Sequence, residues 1–209
     1  MMDTDDPWLF HFTHVDNLAG VLTAGLIADS DKPAGVVECA DLSIKERRRH
    51  LKVPLDPGGV VADYAPFYFA PRSPMLFRIH KGGVASYPRG QTELAYLVTR
   101  LSQVQAHGLP WVATDRNAAV ATAQYTDQAS DLATHIDWEV MAAHMWANTP
   151  TDGSRRERRM AELLVHGCLP WTAVVGIGTH SSTVEAAVQV LLQGQPHQPR
   201  VDVRPTWYF

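Results

Sequence analysis

Cysteine is scarce in this sequence, with only Cys39 and Cys168 among 209 residues. Two cysteines are too few for a disulfide framework, and they do not have the spacing of metal ligands. We therefore expect a reduced, cytoplasmic protein without a bound metal. No apolar run approaches the length of a membrane span, and the first residues lack the basic-then-apolar pattern of a signal peptide, so we expect no membrane partner.

Charged side chains are also sparse, at 19% of the residues, and the formal net charge is −4. An acidic chain lacks the many cationic contacts by which proteins coat nucleic acid without sequence preference. The hydrophobic content of 45% is enough to bury a core. The length favours one domain over residues 1–209.

Several common nucleotide and catalytic motifs are missing. The sequence contains no P-loop, no glycine-rich dinucleotide fingerprint, no zinc-binding helix motif and no serine nucleophile elbow. The commonest nucleotide-binding folds are therefore not favoured. Candidate functional residues have to be sought in dispersed clusters.

Basic residues are concentrated in two runs. The first is Arg47-Arg48-Arg49-His50-Leu51-Lys52, and the second is Arg155-Arg156-Glu157-Arg158-Arg159. Each run alone is typical of a solvated surface. If both runs flanked one pocket, they would form a site for a polyanion.

Apolar periodicity predicts a mixture of strands and helices. Strands are predicted over residues 8–13, 67–69, 75–79, 94–98, 111–114, 174–177 and 201–208. Helices are predicted from Asp16 to Gly25, over 44–50 with a Ser43 cap, from the end of the 94–98 strand to Gly108, over 118–125 near a capping Asp115, over 136–145, and from Thr183 to Gly194. Residues 160–165 fit either type. Leu94, Leu97, Leu101 and Val104 also fit a helix beginning at Thr92, and we favour the strand because residues 111–114 next indicate another strand. Because the order does not alternate regularly, we predict the α+β class rather than a doubly wound sheet.

The most distinctive segment is 63–76, with the sequence Asp-Tyr-Ala-Pro-Phe-Tyr-Phe-Ala-Pro-Arg-Ser-Pro-Met-Leu. It combines neighbouring aromatic residues with three prolines. Pro71 and Pro74 remove backbone donors and restrict the chain, so we predict a strand that runs into a fixed turn.

Strand alternation would separate the aromatic side chains of this segment. Phe67 and Phe69 would face the core, and Tyr68 would face the opposite side. Rings that only fill a core are one interpretation. A fixed turn that aims Tyr68 and Arg72 at a ligand is the other.

Two polar features suggest chemistry. His11 and Thr13 lie two residues apart on a predicted strand, so both could hydrogen-bond one ligand while Phe12 turns to the core. Glu162 stands just before Leu163-Leu164-Val165, at the mouth of a buried element, where a carboxylate can act as a general base. A solvated strand face and a surface glutamate are the alternatives.

These clusters occur in the order expected of a known family. The matching motifs are His11-Phe12-Thr13-His14 with Asn17-Leu18, residues 44–48, residues 63–76, and residues 159–165. On these motifs the chain resembles the DarT family of DNA ADP-ribosyltransferase toxins, from Trp8 to about Gly178. Segment 63–76 is the most specific part of the resemblance.

The resemblance implies an ADP-ribosyltransferase-like fold related to the poly(ADP-ribose) polymerases, with two small, mostly antiparallel sheets and surrounding helices around an NAD cleft. It implies NAD as the co-substrate and transfer of ADP-ribose to a base of single-stranded DNA, with thymine as the first choice. It also implies a toxin–antitoxin pair whose antitoxin is a DarG-like macrodomain protein. Guanine, RNA or protein as the acceptor, and a non-catalytic NAD-binding module, are the alternatives.

The resemblance also assigns roles to single residues. The expected catalytic residues are Glu162 and Arg48, although the triple arginine leaves Arg47 and Arg49 open. The expected NAD contacts are His11, Thr13, Asn17, Arg48 and Tyr68. The expected DNA contacts are Arg72, Arg155, Arg156 and Arg159. Where many relatives have Asp-Arg-His-Ala, this chain has Asp115-Arg116-Asn117-Ala118, so the role of a histidine there does not carry over.

Overall fold

A computed structural model describes residues 3–209. Ten strands are present in the described residues: β1 Trp8–His14, β2 Leu26–Ile27, β3 Tyr64–Tyr68, β4 Leu94–Arg100, β5 Trp111–Thr114, β6 Tyr125–Thr126, β7 Glu162–His166, β8 Cys168–Leu169, β9 Gly176–Thr179 and β10 Arg200–Val203. The α-helices of this part of the chain are α1 Leu18–Ala24, α2 Leu42–Arg48, α3 Pro74–His80, α4 Leu101–Ala106, α5 Leu132–His135, α6 Trp138–Ala142, α7 Arg155–Arg158 and α8 Ser182–Leu192.

Eight strands form one sheet in the order β10-β9-β4-β1-β3-β7-β5-β6, and β2 pairs separately with β8. The pairing is antiparallel except between β9 and β10. The α+β class is therefore confirmed.

The large sheet is nearly divided between β1 and β3. These strands share the single register pair Phe10 and Tyr68, whereas β1 pairs with β4 from Trp8 to His14. The two small sheets predicted around a cleft correspond to the halves β10-β9-β4-β1 and β3-β7-β5-β6, which the structure joins into one sheet. The separation between β1 and β3 leaves room for a ligand.

Both faces of the sheet are covered, because successive strand residues point to opposite sides. Leu9 and Leu97 pack into the larger core with α1 and α8, whereas Phe10 and Tyr96 pack into a second core on the other face. The C-terminal segment closes this second core. The Tyr208 hydroxyl donates to the Leu94 carbonyl at 2.8 Å.

Two predicted elements are wrong in type. Residues 75–79 belong to helix α3, not to a returning strand, because Ser73 caps the helix and Pro74 occupies its first turn. Residues 118–122 form turns instead of a helix, and the chain then leads into the short strand β6.

Other predicted elements are correct in type but differ in extent. The predicted 136–145 helix is limited to α6, the 174–177 strand is displaced to β9, and the 201–208 strand ends at Val203. The caps of α2 and α8 are Asp41 and Ser181 rather than Ser43 and Thr183. Residues 160–165, which fit either type, enter strand β7. Within residues 3–209, no helix combines the length and apolarity needed to cross a bilayer.

Candidate active site

A cleft of about 530 Å³ lies where β1 and β3 separate. Ligand pockets commonly have volumes of about 300–1,000 Å³. The cleft is lined by residues 11–13 of β1, by one side of β3, by α1, by α2 with the preceding segment 32–41, and by the first residue of β7. It therefore gathers motifs that are far apart in the sequence.

Glu162 is the buried carboxylate of this cleft, with 2% of its surface exposed. Its two oxygens accept hydrogen bonds from Arg48 Nη1 at 3.1 and 3.0 Å. One oxygen also accepts the backbone N–H of Ala118 at 3.0 Å. Charge-assisted bonds of this kind fix the orientation of a carboxylate.

Helix α2 decides which residue of the triple arginine enters the cleft. Asp41 accepts the Ser43 N–H and starts the helix, which ends at Arg48. Arg47 is exposed and Arg49 pairs with Glu46, whereas Arg48 points inward to the buried carboxylate. The Arg48 Nη2 atom is buried without a hydrogen-bond partner among the described residues. A buried guanidinium nitrogen with free hydrogens is a ready donor for an anionic or carbonyl ligand.

The β1 side of the cleft carries His11. Its Nδ1 lies 2.8 Å from the Pro66 carbonyl oxygen. Because a carbonyl can only accept, Nδ1 carries the proton and Nε2 is left as an acceptor. Burial lowers the pKa of His11 from its ordinary value of 6.5 to about 4. The ring is therefore neutral at physiological pH.

Asn17 lies at the edge of the cleft and binds the chain itself. Its Nδ2 donates to Thr13 Oγ1 and to the Val37 carbonyl, each at 2.9 Å, and its Oδ1 accepts the Val37 N–H at 2.8 Å. The side-chain amide thus ties segment 32–41 to β1. Thr13 is buried, and its hydroxyl remains free to donate. Phe12 is only half-buried and also lines the cleft, which corrects the prediction that it turns wholly to the core.

Tyr68 occupies the opposite wall. Phe67 and Phe69 are buried, and Tyr68 is half-buried and lines the cleft, so the predicted alternation is confirmed. Its neighbour across the sheet is Glu162, and its ring stacks with Phe12 at a centroid distance of 6.4 Å. Burial, with a smaller effect of Glu162, raises the pKa of Tyr68. The phenol is therefore protonated over the physiological range.

Comparison with known proteins supports what this geometry suggests. A family model described as "ssDNA thymidine ADP-ribosyltransferase, DarT" matches residues 10–209.

The chain belongs to the DarT family.

A member from Thermus sp. (strain 2.9), named DNA ADP-ribosyl transferase, is 40% identical over 204 residues, which are 96% of this chain and 95% of that protein. Its solved structure in complex with ADP-ribosylated ssDNA superposes with a TM-score of 0.91 at 39% identity, covering 97% of this chain and 96% of that one. Its complex with NAD+ gives a TM-score of 0.87 at 37% identity and covers 97% and 98% of the two chains.

The name of a second relative includes two activities. The "DNA ADP-ribosyl transferase-DNA ADP-ribosyl glycohydrolase fusion protein" of Thermosipho africanus (strain H17ap60334) is 27% identical over 164 residues, which are 77% of this chain and 39% of that protein.

Asn117 stands where the resemblance led us to expect a histidine. The Asn117 side chain is buried and lines the cleft, and its Oδ1 accepts the Ala119 N–H at 2.7 Å. This bond closes a tight turn in which the Ala118 N–H points at Glu162. An asparagine therefore shapes the backbone at this DarT site.

The arginines expected to bind DNA occupy three different environments. Arg72 is half-buried and lies outside the cleft lining, with Nη1 at 2.6 Å from His144 Nε2. Arg155 and Arg156 belong to α7, and neither pairs with a carboxylate among residues 3–209.

The burial of Arg159 contradicts the prediction that this side chain contacts DNA. It is 5% exposed, and its guanidinium donates to the carbonyls of Val140, Met141 and Pro71 at 2.6, 2.6 and 2.7 Å. Burial lowers the pKa of Arg159 to about 10. The side chain therefore joins α6 to the turn before α3, and it does not reach solvent. The segment before Glu162 contains the short helix α7.

Sequence reasoning missed several parts of the DarT site. The Ala118 N–H is a backbone group and has no signature in the side-chain pattern. Lys45 also lines the cleft and pairs with Asp29 and Glu38. The Asp41 capping position, which brings Lys45 and Arg48 to one side of α2, was the available signal. In the part of the chain that the structure describes, no three His, Cys, Asp or Glu side chains form a set able to hold a metal ion.

Proposed function

We propose that this protein transfers ADP-ribose from NAD to a thymine base of single-stranded DNA. The observation that carries the proposal is the Glu162 carboxylate, buried in the cleft between the Arg48 guanidinium and the Ala118 N–H. Membership of the DarT family supplies the reaction class. The single sheet drawing strands from Trp8 to Val203 supports one catalytic domain.

NAD is proposed to lie along the cleft with its ribose groups near β1. The His11 Nε2 acceptor and the Thr13 hydroxyl suit ribose hydroxyl groups. The Tyr68 ring suits a stacked nicotinamide, since it is neutral and next to Glu162 across the sheet. Arg48 suits the pyrophosphate through its free Nη2, because a guanidinium can bond two oxygens at once. Asn17 contributes by holding segment 32–41 at the cleft edge.

The proposed reaction uses the Glu162 carboxylate in two successive steps. When the bond between nicotinamide and ribose C1′ breaks, its electron pair stays on nicotinamide, which leaves as a neutral molecule. The cationic ribose centre is stabilised by Glu162 through a hydrogen bond from the 2′-hydroxyl. The thymine ring nitrogen then loses its proton to Glu162 as it bonds to C1′.

Single-stranded DNA suits this cleft because an unpaired base enters without the cost of extrusion from a duplex. Arg72, Arg155 and Arg156 are the proposed contacts to the strand, since each is a cation without a carboxylate partner among the described residues. Arg159 is not among them.

A second protein that removes the modification is suggested by the name of a relative. The name of the Thermosipho relative couples a transferase with a glycohydrolase. We propose that this protein acts in the cytoplasm as the toxin of a toxin–antitoxin pair and is countered by a separate DarG-like macrodomain protein.

The acceptor is tested with a set of oligonucleotides of equal length. Each contains one thymine, one guanine or neither in a fixed context of the other bases, and RNA versions complete the set. After incubation with protein and NAD, intact mass spectrometry measures the gain of one ADP-ribose. A gain confined to thymine-containing DNA is expected. A gain only on guanine, only on RNA or only on the protein itself would contradict the proposed acceptor, and NAD binding without any transfer would contradict the enzyme.

A further inference from the structure

The turn between β3 and α3 is fixed on both sides of Arg72. Arg159 Nη2 donates to the Pro71 carbonyl at 2.7 Å, and the Arg72 N–H donates to the Tyr96 hydroxyl at 3.3 Å. Ser73 caps the following helix. Arg72 itself has a φ of 56°, in the left-handed region that non-glycine residues avoid. Such strain persists where the surroundings fix it, and it commonly marks a side chain whose direction matters.

The Phe209 ring packs against the Arg72 side chain. The guanidinium carbon lies 4.5 Å from the ring centroid, within the range of a cation–π contact. The Phe209 ring also packs against Phe77 and Trp146 in T-shaped arrangements, at centroid distances of 5.0 and 6.3 Å. Buried Gln91 holds the backbone of Phe209: its Oε1 accepts the N–H at 3.2 Å, and its amide nitrogen donates to the carbonyl. The ring therefore has a fixed position.

The supported guanidinium faces the segment that leads to Glu162. Its Nη1 contacts His144, which is exposed and precedes α7. The chain enters the turn from Tyr68 and leaves it through Met75, and both of these side chains line the cleft. Arg72 is thus placed beside the cleft and against His144, whose neighbour Met145 accepts a hydrogen bond from Arg155 of α7 at 3.4 Å, and it is not inside the NAD site.

We propose that Phe209 is a positioning residue for DNA binding, because its ring holds the Arg72 guanidinium ready to meet the strand. This inference rests on the proposed function of Arg72 as a DNA contact. A guanidinium that is already ordered loses little conformational freedom when it binds, whereas a free one loses more. Loss of the ring should therefore weaken DNA binding without changing the NAD site.

The test measures KM for a thymine-containing oligonucleotide, kcat at saturating DNA, and NAD affinity by calorimetry. Phe209→Ala and Phe209→Leu should each raise KM for DNA about threefold to tenfold, with kcat and NAD affinity unchanged. Phe209→Trp, which keeps an aromatic face, should restore the wild-type KM. Leucine keeps apolar bulk, and melting curves of each variant show whether the fold is intact.

Trp8→Ala is the matched control. Trp8 is 43% exposed, and the Arg100 guanidinium carbon lies 4.6 Å from its ring centroid. The variant therefore removes a cation–π contact at a different place on the protein. Its KM for DNA should equal that of the wild type. A rise equal to that of Phe209→Ala would overturn the inference, because the effect would then be general.

A double-mutant cycle with Arg72→Ala separates this inference from the function of Arg72 itself. In the Arg72→Ala background, Phe209→Ala should add no further rise in KM. If Phe209→Ala still raised KM for DNA by the same factor in this background, the positioning role of Phe209 would be contradicted. If Arg72→Ala raises KM for DNA while Phe209→Ala and Phe209→Leu do not, the positioning role of Phe209 is contradicted and the DNA contact of Arg72 is retained. If Arg72→Ala has the wild-type KM, the DNA contact of Arg72 falls and the inference falls with it.

Discussion

At the scale of single residues, the protonation state of His11 decides what β1 offers to a ligand. The Pro66 carbonyl fixes the proton on Nδ1, and burial keeps the ring neutral. A neutral ring with a free Nε2 accepts from a ribose hydroxyl, whereas an imidazolium could not.

The His11 titration gives the first prediction. An NMR titration of the imidazole should show a midpoint at about 4 instead of the ordinary 6.5. The unfolded chain then binds the proton more readily than the folded one, so His11 lowers stability as the pH falls from 6.5 towards 4 and has no such effect above 6.5. His11→Gln assigns the resonance. A midpoint at the ordinary value would contradict the buried neutral ring.

Asn117 gives the second prediction, because it shapes the turn that aims the Ala118 N–H at Glu162. Asn117→Ala removes this hydrogen bond, and kcat for ADP-ribose transfer should fall about fivefold, the equivalent of one hydrogen bond of about 1 kcal/mol. The KM for NAD should change little. Asn117→Ser keeps an oxygen acceptor and should recover most of the activity. Equal kcat values for the wild type and Asn117→Ala would show that the turn does not depend on the side chain.

At the scale of elements, the cleft depends on how segment 32–41 is held against β1. Asn17 makes two hydrogen bonds to Val37 and one to Thr13. The C-terminal part of the segment is also held, because Glu38 pairs with Lys45 and Cys39 is buried, whereas residues 31–35 are exposed and depend more on the Asn17 bonds.

Asn17→Ala should therefore raise KM for NAD about tenfold through the loss of these bonds, with kcat at saturating NAD nearly unchanged. Calorimetry measures the NAD affinity, and limited proteolysis should show faster cleavage within 32–41. Asn17→Asp keeps the acceptor for the Val37 N–H and should give an intermediate KM. An unchanged KM for NAD together with an unchanged cleavage rate would contradict the role of Asn17 in holding segment 32–41.

The elements also show where sequence patterns succeed. The strands β1, β4 and β5 are predicted because their apolar residues are continuous or alternate. Residues 75–79 are predicted as a strand because a short apolar run fits both types. The decisive signal for helix α3 is Ser73 as the cap with Pro74 in the first turn. The alanine-rich 118–125 region follows the Asn117 turn, whose local bond outweighs helix propensity.

At the scale of the whole molecule, the C-terminal segment locks the sheet half that carries β1. Trp207 packs against Gly178 of β9 so closely that a Cβ at this position would lie 2.3 Å from the ring. The ring also contacts Phe10 and Tyr96 at centroid distances of 5.2 and 5.7 Å. This packing carries the chain to Phe209, beside the proposed DNA contact.

Gly178→Ala should therefore destabilise the protein by about 1–3 kcal/mol, the usual cost of overpacking, and lower Tm by about 2–12 °C. Gly20→Ala is the opposite case, because Gly20 lies in α1 and, apart from the helix's own backbone and the two neighbouring residues, no atom lies within 4 Å of the added methyl group. Its Tm should rise by up to about 4 °C. Calorimetric melts of both variants check the pair, and a Gly178→Ala protein as stable as the wild type would contradict the close packing.

The site is predictable from the sequence only in part, and the reason lies in the assembly of the whole chain. Strand alternation places Tyr68 correctly in the cleft, since it needs only the local backbone. The choice of Arg48 over Arg47 and Arg49, and the burial of Arg159, depend on how α2 and α7 pack against distant strands. Long-range packing of this kind leaves no local pattern.

The central claim is that the Glu162 carboxylate, held by Arg48 and the Ala118 N–H, performs the transfer. The most direct measurement is the single-turnover rate of ADP-ribose transfer to a thymine-containing single-stranded oligonucleotide by the wild type and by Glu162→Gln, with NAD affinity measured in parallel. The wild type should modify the DNA, and Glu162→Gln should bind NAD but transfer at least about 100-fold more slowly. Transfer by Glu162→Gln at the wild-type rate, or no transfer by folded wild-type protein, would contradict the claim.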